Sequence, residues 1–206
     1  MIERVLRRSD WRPQAWKNGG GVTHEVWRDG LDPNGRAPGG EATIAPFGVR
    51  VSCAEVASDG PFSSFPGIDR TILLMEGGGF VLRRDDGLHV RLTEVGAPFR
   101  FRGEERWDCQ LVAGPVLDLN LMVARERASA ELEVVRLGPG EALTLPSQGR
   151  ALVLALDGPL AVGEAPGLTA LDRWDAVVGS GPVTLRAEAG CAVSAVVVWI
   201  GVAPPR

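Results

Sequence analysis

Glycine and proline interrupt this chain so often that long helices have nowhere to form. There are 27 glycines and 15 prolines among 206 residues. Turn signals therefore recur about every eight to twelve residues, the spacing expected of short strands in a sandwich or barrel. Strand-like runs lie between them at Val22–Trp27, Arg50–Val56, Arg70–Glu76, Phe80–Arg84, Leu88–Leu92, Pro98–Arg102, Trp107–Val112 and Val116–Val123. Asp85-Asp86-Gly87 reads as a tight hairpin turn between two of these runs. Ala124–Leu132 alone has the look of a helical turn or two. Strand patterns then resume at Val134–Leu137, Ala142–Leu145, Ala151–Leu156, Leu160–Val162, Val183–Leu185 and Val193–Ile200. The expected fold class is all-β.

Two segments echo each other. Ile72-Leu73-Leu74-Met75-Glu76-Gly77 and Val153-Leu154-Ala155-Leu156-Asp157-Gly158 are each a buried-strand pattern closed by an acid and a glycine. Self-similarity of this kind predicts two related β-barrels, residues 1–123 and residues 124–206. All six phenylalanines and both histidines precede residue 103, whereas the second half is mostly Ala, Leu, Val and Gly. The first barrel is therefore expected to carry the site and the second to be structural. Arg28–Gly48, with its Asp32-Pro33-Asn34-Gly35 turn, reads as a loop or lid.

A net charge of −4 and a pI near 5.3 speak against a nucleic-acid binder or a protein of anionic membrane surfaces. The N-terminus is too charged for a signal peptide, and the apolar run 195–202 is far short of the roughly 20 residues that span a bilayer. Cys53, Cys109 and Cys191 are odd in number and widely spaced, as free thiols of a reducing compartment are. A cytoplasmic protein is expected.

Composition also picks out individual residues. Lys17 is the one lysine among 22 lysine and arginine residues, tyrosine is absent, and Asn18, Asn34 and Asn120 are the only asparagines. Where arginine serves almost everywhere, a retained lysine points to a need for a compact ammonium. Lys17 and Asn18 stand in Trp16-Lys17-Asn18-Gly19-Gly20-Gly21, whose glycines let backbone approach a ligand closely. The order of residues is not that of a phosphate loop. Period-2 alternation puts Thr23 and Glu25 on one face of the next strand, opposite Val22, His24 and Val26. Lys17, Asn18, Thr23 and Glu25 thus form a candidate polar site, or alternatively a structural turn with a salt bridge.

At these residues the chain resembles the HutD/Ves family of double-cupin proteins. The resemblance rests on Trp16 to Gly21 with Thr23 and Glu25, on Asp59-Gly60-Pro61-Phe62-Ser63-Ser64-Phe65-Pro66-Gly67-Ile68-Asp69-Arg70, and on Asp118-Leu119-Asn120-Leu121-Met122. Ala15 and Val49 depart from the family pattern, where proline and tryptophan are usual. The resemblance implies a bicupin, a homodimer, and for HutD a role in regulating bacterial histidine utilisation. Its implied ligand is a small anionic metabolite such as urocanate or N-formylglutamate.

Cupins commonly hold a metal through two histidines and a glutamate ahead of a closing glycine. With Gly77 as that glycine, the glutamate position falls on Arg70 and the histidines on Ser64 and Pro66, or on Ser63 and Phe65. The second cupin element leads to Arg106 and Gln110 in place of histidine and asparagine. Such side chains cannot make an imidazole and carboxylate site, so neither metal nor cofactor is expected. A guanidinium at the metal position can instead hold a carboxylate bidentately. The ligand-binding set is therefore Lys17, Asn18, Thr23, Glu25, Arg70 and Asn120, unless Arg70 is paired internally with Glu25 or Asp69. Three functions remain open: a regulatory binder of a small carboxylic acid, a metal-independent cupin isomerase or lyase, and an interaction module.

Overall fold

The computed structural model describes residues 1–16, 19–29, 47–146, 149–164 and 167–202. They form two compact units, one of Arg12–Ser129 and one joining Met1–Trp11 to Ala130–Gly201. Apart from a single 3-10 turn at Arg8–Asp10, all regular structure among the described residues is β.

In the first unit one sheet has the order β2 (Arg12–Ala15), β3 (Gly21–Arg28), β4 (Val49–Val56), β11 (Val116–Ala124), β6 (Ile68–Gly77), β9 (Pro98–Arg102). The second sheet runs β5 (Gly60–Pro61), β10 (Trp107–Leu111), β7 (Phe80–Arg84), β8 (His89–Leu92). In the other unit the larger sheet is β1 (Ile2–Leu6), β17 (Ala176–Ser180), β14 (Arg150–Ala155), β19 (Val193–Val202), β12 (Ala128–Leu137). The smaller is β13 (Ala142–Leu145), β18 (Val183–Ala187), β15 (Leu160–Glu164), β16 (Gly167–Leu171).

These orders are one pattern used twice. β4-β11-β6-β9 becomes β12-β19-β14-β17 when every strand moves eight places along the chain, and β5-β10-β7-β8 becomes β13-β18-β15-β16. The strands β2, β3 and β1 are additions at the sheet edges. The echo between Ile72–Gly77 and Val153–Gly158 falls on β6 and β14, which occupy equivalent places in the repeat. Barrels are the sequence expectation; among the described residues the four sheets are open.

Alternation along each strand sends one residue set to the interior and the next outward. Ile72, Leu74, Phe80, Leu82, Phe101, Trp107 and Val116 meet in the core of the first unit. Leu137, Val153, Val162, Val177, Leu185 and Val197 do so in the second. Each such side chain contributes about 1.5–3 kcal/mol by leaving water.

Three local readings change. Ala124–Leu132 is not helical: β11 runs to Ala124, Arg127 N–H donates to the Ala124 carbonyl at 2.9 Å, and β12 begins at Ala128. Pairing in a sheet overrides the helix propensity of its alanines and glutamates. The first residues join the other unit, because β1 pairs antiparallel with β17. The strands β16 and β17 lie in a stretch where no strand was expected. Most of the proposed loop at Arg28–Gly48 lies outside the described residues. At its edges the Asp29 carboxylate accepts the backbone N–H of Gly48 and of Val49, at 2.9 and 2.6 Å.

Candidate ligand-binding site

The inner face of the larger sheet in the first unit is apolar toward one end and polar toward the other. Val56, Val116 and Leu74 belong to the core. Further along the same face come Arg50, Ser52 and Ala54 of β4, Asp118, Asn120 and Met122 of β11, and Arg70 of β6, all lining a cavity of about 680 Å³. Cross-strand register sets them in rows. Met122 lies opposite both Arg50 and Arg70, and Asn120 lies opposite Ser52 and Ile72. Thr23 and Glu25 line the same cavity from β3. A bulge between Glu25 and Trp27 then shifts the alternation, so that Arg28 comes opposite Arg50 and also faces inward.

Arg70 is the most enclosed cation of the site, 6% exposed. Its guanidinium lies over the rings of Phe101, Phe62 and Phe65, at 4.8, 5.3 and 5.3 Å. Its Nε donates to Asn120 Oδ1 at 3.4 Å and its Nη1 to the Ser63 carbonyl at 3.3 Å. Burial, partly offset by nearby Asp118 and reinforced by Arg50, pushes its pKa down to about 10, which leaves it charged at neutral pH.

The internal ion pairs weighed for Arg70 are made by other residues. Glu25 accepts from Arg50 Nε at 3.0 Å and meets Arg28 Nε at 3.3 Å. Asp69 pairs with Arg125 at 2.8 Å. Asp118 is the acid that Arg70 feels, and the two make no contact ion pair. Asp118 is 2% exposed, its Oδ1 has no hydrogen-bond partner, and burial pushes its pKa up to about 7 against the pull of Arg70.

The aromatic wall is held from behind. Phe65 N–H donates to the Gly103 carbonyl and Gly103 N–H to the Ile68 carbonyl, both at 2.7 Å. A Cβ on Gly103 would sit against the Phe65 carbonyl oxygen and 2.8 Å from that of Ile68, so only glycine allows this approach. Arg125 grips both Glu104 oxygens at 2.9 Å, while Glu104 accepts Gly67 N–H at 3.0 Å. Across the cavity, Trp16 Nε1 donates to Thr23 Oγ1 at 2.8 Å.

Of the residues selected from sequence, Thr23, Glu25, Arg70 and Asn120 share this cavity. Lys17 and Asn18 lie outside the described residues. The described four divide by what they touch: Thr23 orients Trp16, Glu25 orients Arg28 and Arg50, and Asn120 orients Arg70. Sequence reading missed Arg50, Ser52 and Asp118. Alternation along the expected strand Arg50–Val56 brings the first two to one face, and Asp118 stands two residues before Asn120 in the same motif. His24 is off the cavity, 3.0 Å from Glu55, and His89 is exposed. Among the described residues no group of three or more His, Cys, Asp or Glu side chains is placed to hold a metal ion.

The repeat shows how local this polarity is. Pairing puts Ala151 opposite Trp199, Val153 opposite Val197 and Ala155 opposite Ala195. Arg70 pairs with Met122, Ile72 with Asn120 and Leu74 with Asp118 in the first unit. Ala151 therefore stands where Arg70 does, Val197 where Asn120 does, and Ala195 where Asp118 does. One copy of the sheet carries a polar cavity, and in the other these positions are apolar.

The family model described as HutD matches residues 8–196. An uncharacterised 21.2 kDa protein from the hutC 3′ region of Pseudomonas putida is 36% identical over 63% of this chain and 62% of its own length. Protein Ves of Citrobacter koseri is 34% identical over 58% of this chain and 56% of its own. The chain thus spans about three fifths of the curated relatives it matches. Among solved structures, HutD from Pseudomonas fluorescens SBW25 superimposes with a TM-score of 0.76 at 28% identity, covering 98% of this chain and 99% of that one. A cupin 2 conserved barrel domain protein from Leptotrichia buccalis gives 0.58 at 11% identity, covering 97% and 99%, a likeness of fold alone.

Proposed function

Since the chain belongs to the HutD family, with a role linked to histidine utilisation, we propose that it is a metal-free double cupin whose first unit binds a small carboxylic acid and whose second is structural. The observation that carries this reading is Arg70, a charged guanidinium in an aromatic enclosure at the wall of a 680 Å³ cavity. A carboxylate is the natural partner for such a group, because charge-assisted bonds strengthen as water is excluded. Arg50 and Arg28, already oriented by Glu25, add positive potential beside it. Planar or short acids such as urocanate and N-formylglutamate suit the aromatic walls. In this reading the protein senses or buffers the acid as a cytoplasmic homodimer and catalyses nothing.

A thermal-shift series with these two acids tests the reading. At a hundred times the dissociation constant, a ligand specific for the folded state stabilises by about 2.7 kcal/mol. For a chain of this size that is a rise of roughly 5–10 °C. Arg70→Ala should abolish the shift; no response to any small carboxylic acid would overturn the reading.

Asp118 favours a second reading, a metal-independent isomerase or lyase. A buried carboxyl held near pH 7 at a cavity wall is poised for general acid–base work. Conversion of a bound acid, followed by NMR and lost in Asp118→Asn, would replace binding by catalysis.

A further inference from the structure

At one place the inner face of β11 breaks the rule that buried polar groups are paired. Val116 on one side of Asp118 is core, and Asn120 on the other is committed to Arg70. Asp118 itself has a buried Oδ1 with no partner, and it lines the cavity. No described side chain supplies the missing donor. The guanidinium of Arg70 is turned to Asn120 and Ser63, and Arg50 is turned to Glu25 and Met122. From β10, Cys109 faces Asp118 as a thiol whose own ionisation is suppressed by burial and by Asp118. What completes Asp118 has to enter through the cavity.

The spacing indicates the kind of group. Asn120, which holds Arg70, and Asp118 are two residues apart on one strand face, a separation of about 7 Å. A small molecule with its carboxylate on Arg70 would present its far end to Asp118. The rest of the wall is rich in donors, with Arg28, Arg50 and Arg70, while the carboxylate of Glu25 is occupied by two of them. Among the described residues Asp118 is the cavity carboxylate left over. A second carboxylate at that end would meet a like charge, or force a proton to be shared.

Resting on the acid-binding reading, we propose that Asp118 accepts a hydrogen bond from an N–H group of the bound molecule, so that the cavity selects carboxylic acids bearing an N–H at their far end over acids that lack one. Arg70 then supplies affinity for the acid, and Asp118 supplies the choice among acids.

Two isosteric probes isolate the effect. 3-(Pyrrol-2-yl)acrylate and 3-(2-furyl)acrylate share a planar acrylate and a five-membered ring, and they differ in a ring N–H against a ring oxygen. Calorimetric titration of the full chain at pH 8, above the raised pKa of Asp118, should show the pyrrole acid binding roughly ten- to a hundred-fold more tightly, the difference made by one hydrogen bond to a charged group. In Asp118→Ala the ratio of the two affinities should fall to near one. Asp118→Asn, which keeps an acceptor oxygen, should retain part of the preference and serves if the alanine variant fails to fold. Equal affinities in the unmodified protein, or a preference undiminished in both variants, would overturn this inference and leave the acid-binding reading standing. Failure of both probes to bind would overturn that reading as well.

Discussion

Replacing Asp118 by asparagine should shift stability in favour of the variant progressively as the pH rises. The carboxyl is buried at the cavity wall, and burial raises its pKa from 3.8 to about 7. Below about pH 4 the group is protonated in folded and unfolded chains alike and contributes no difference. Between about 4 and 7 the unfolded chain loses its proton while the folded protein keeps it, so the unfolded state gains. Each pH unit in this window costs the fold about 1.4 kcal/mol. The loss is complete above about pH 7, at a ceiling of ~4 kcal/mol. Arg70, by favouring the charged form, lowers the shift and hence the loss. Asparagine keeps the shape and cannot ionise. It still leaves a buried amide without its partners, an offset of about 1–3 kcal/mol that does not vary with pH. The useful quantity is therefore the slope of the difference between the two proteins. Urea unfolding of both at intervals from pH 4 to pH 8 should show the asparagine variant gaining progressively over the wild type, with most of the change between 5 and 7. A flat difference would mean that Asp118 is ionised and compensated in the fold. A difference of opposite slope would mean that its attraction to Arg70 outweighs its burial, and the account of an unsatisfied carboxyl would be wrong.

Two further outcomes test the walls of the cavity. Arg70→Ala should lower the unfolding free energy by roughly 2–4 kcal/mol as well as abolish acid binding, since it empties the space between three phenylalanine rings, each contact worth up to about 2 kcal/mol when desolvated. An unchanged melting temperature would show that those ring contacts carry no stability. Gly103→Ala should cost about 1–3 kcal/mol, because its methyl group meets the Phe65 and Ile68 carbonyls. Acid affinity should fall with it as the Phe62–Phe65 wall is displaced, and an affinity equal to that of the unmodified protein would separate the wall from binding.

Much of the fold was legible in the chain because turns are local. Glycine and proline mark strand ends by their own backbone limits, and Phe80–Arg84, Pro98–Arg102 and Ala142–Leu145 are strands with the expected bounds. Alternation likewise brought Thr23 and Glu25 to one face, and the rarity of asparagine drew attention to Asn120. The family, too, could be read from short motifs. What a strand pairs with is not local. Nothing in Met1–Trp11 announces that β1 will pair with β17, or that the alanines and glutamates after Ala124 will join β12. The bulge that turns Arg28 inward is a feature of the β3–β4 register. Arg50 and Asp118 become parts of one cavity only because β4, β11 and β6 lie side by side, with even-numbered residues facing in. The internal partner for Arg70 was sought among Glu25 and Asp69, both of which tertiary pairing gave to other arginines. Sequence alone determined that this would be a sheet protein of a recognisable family, and it drew attention to Arg70. Long-range strand register decided which acids and cations meet, since a side chain's partners across a sheet are set by residues far away in the chain, as Met122 lies opposite Arg50 and Arg70.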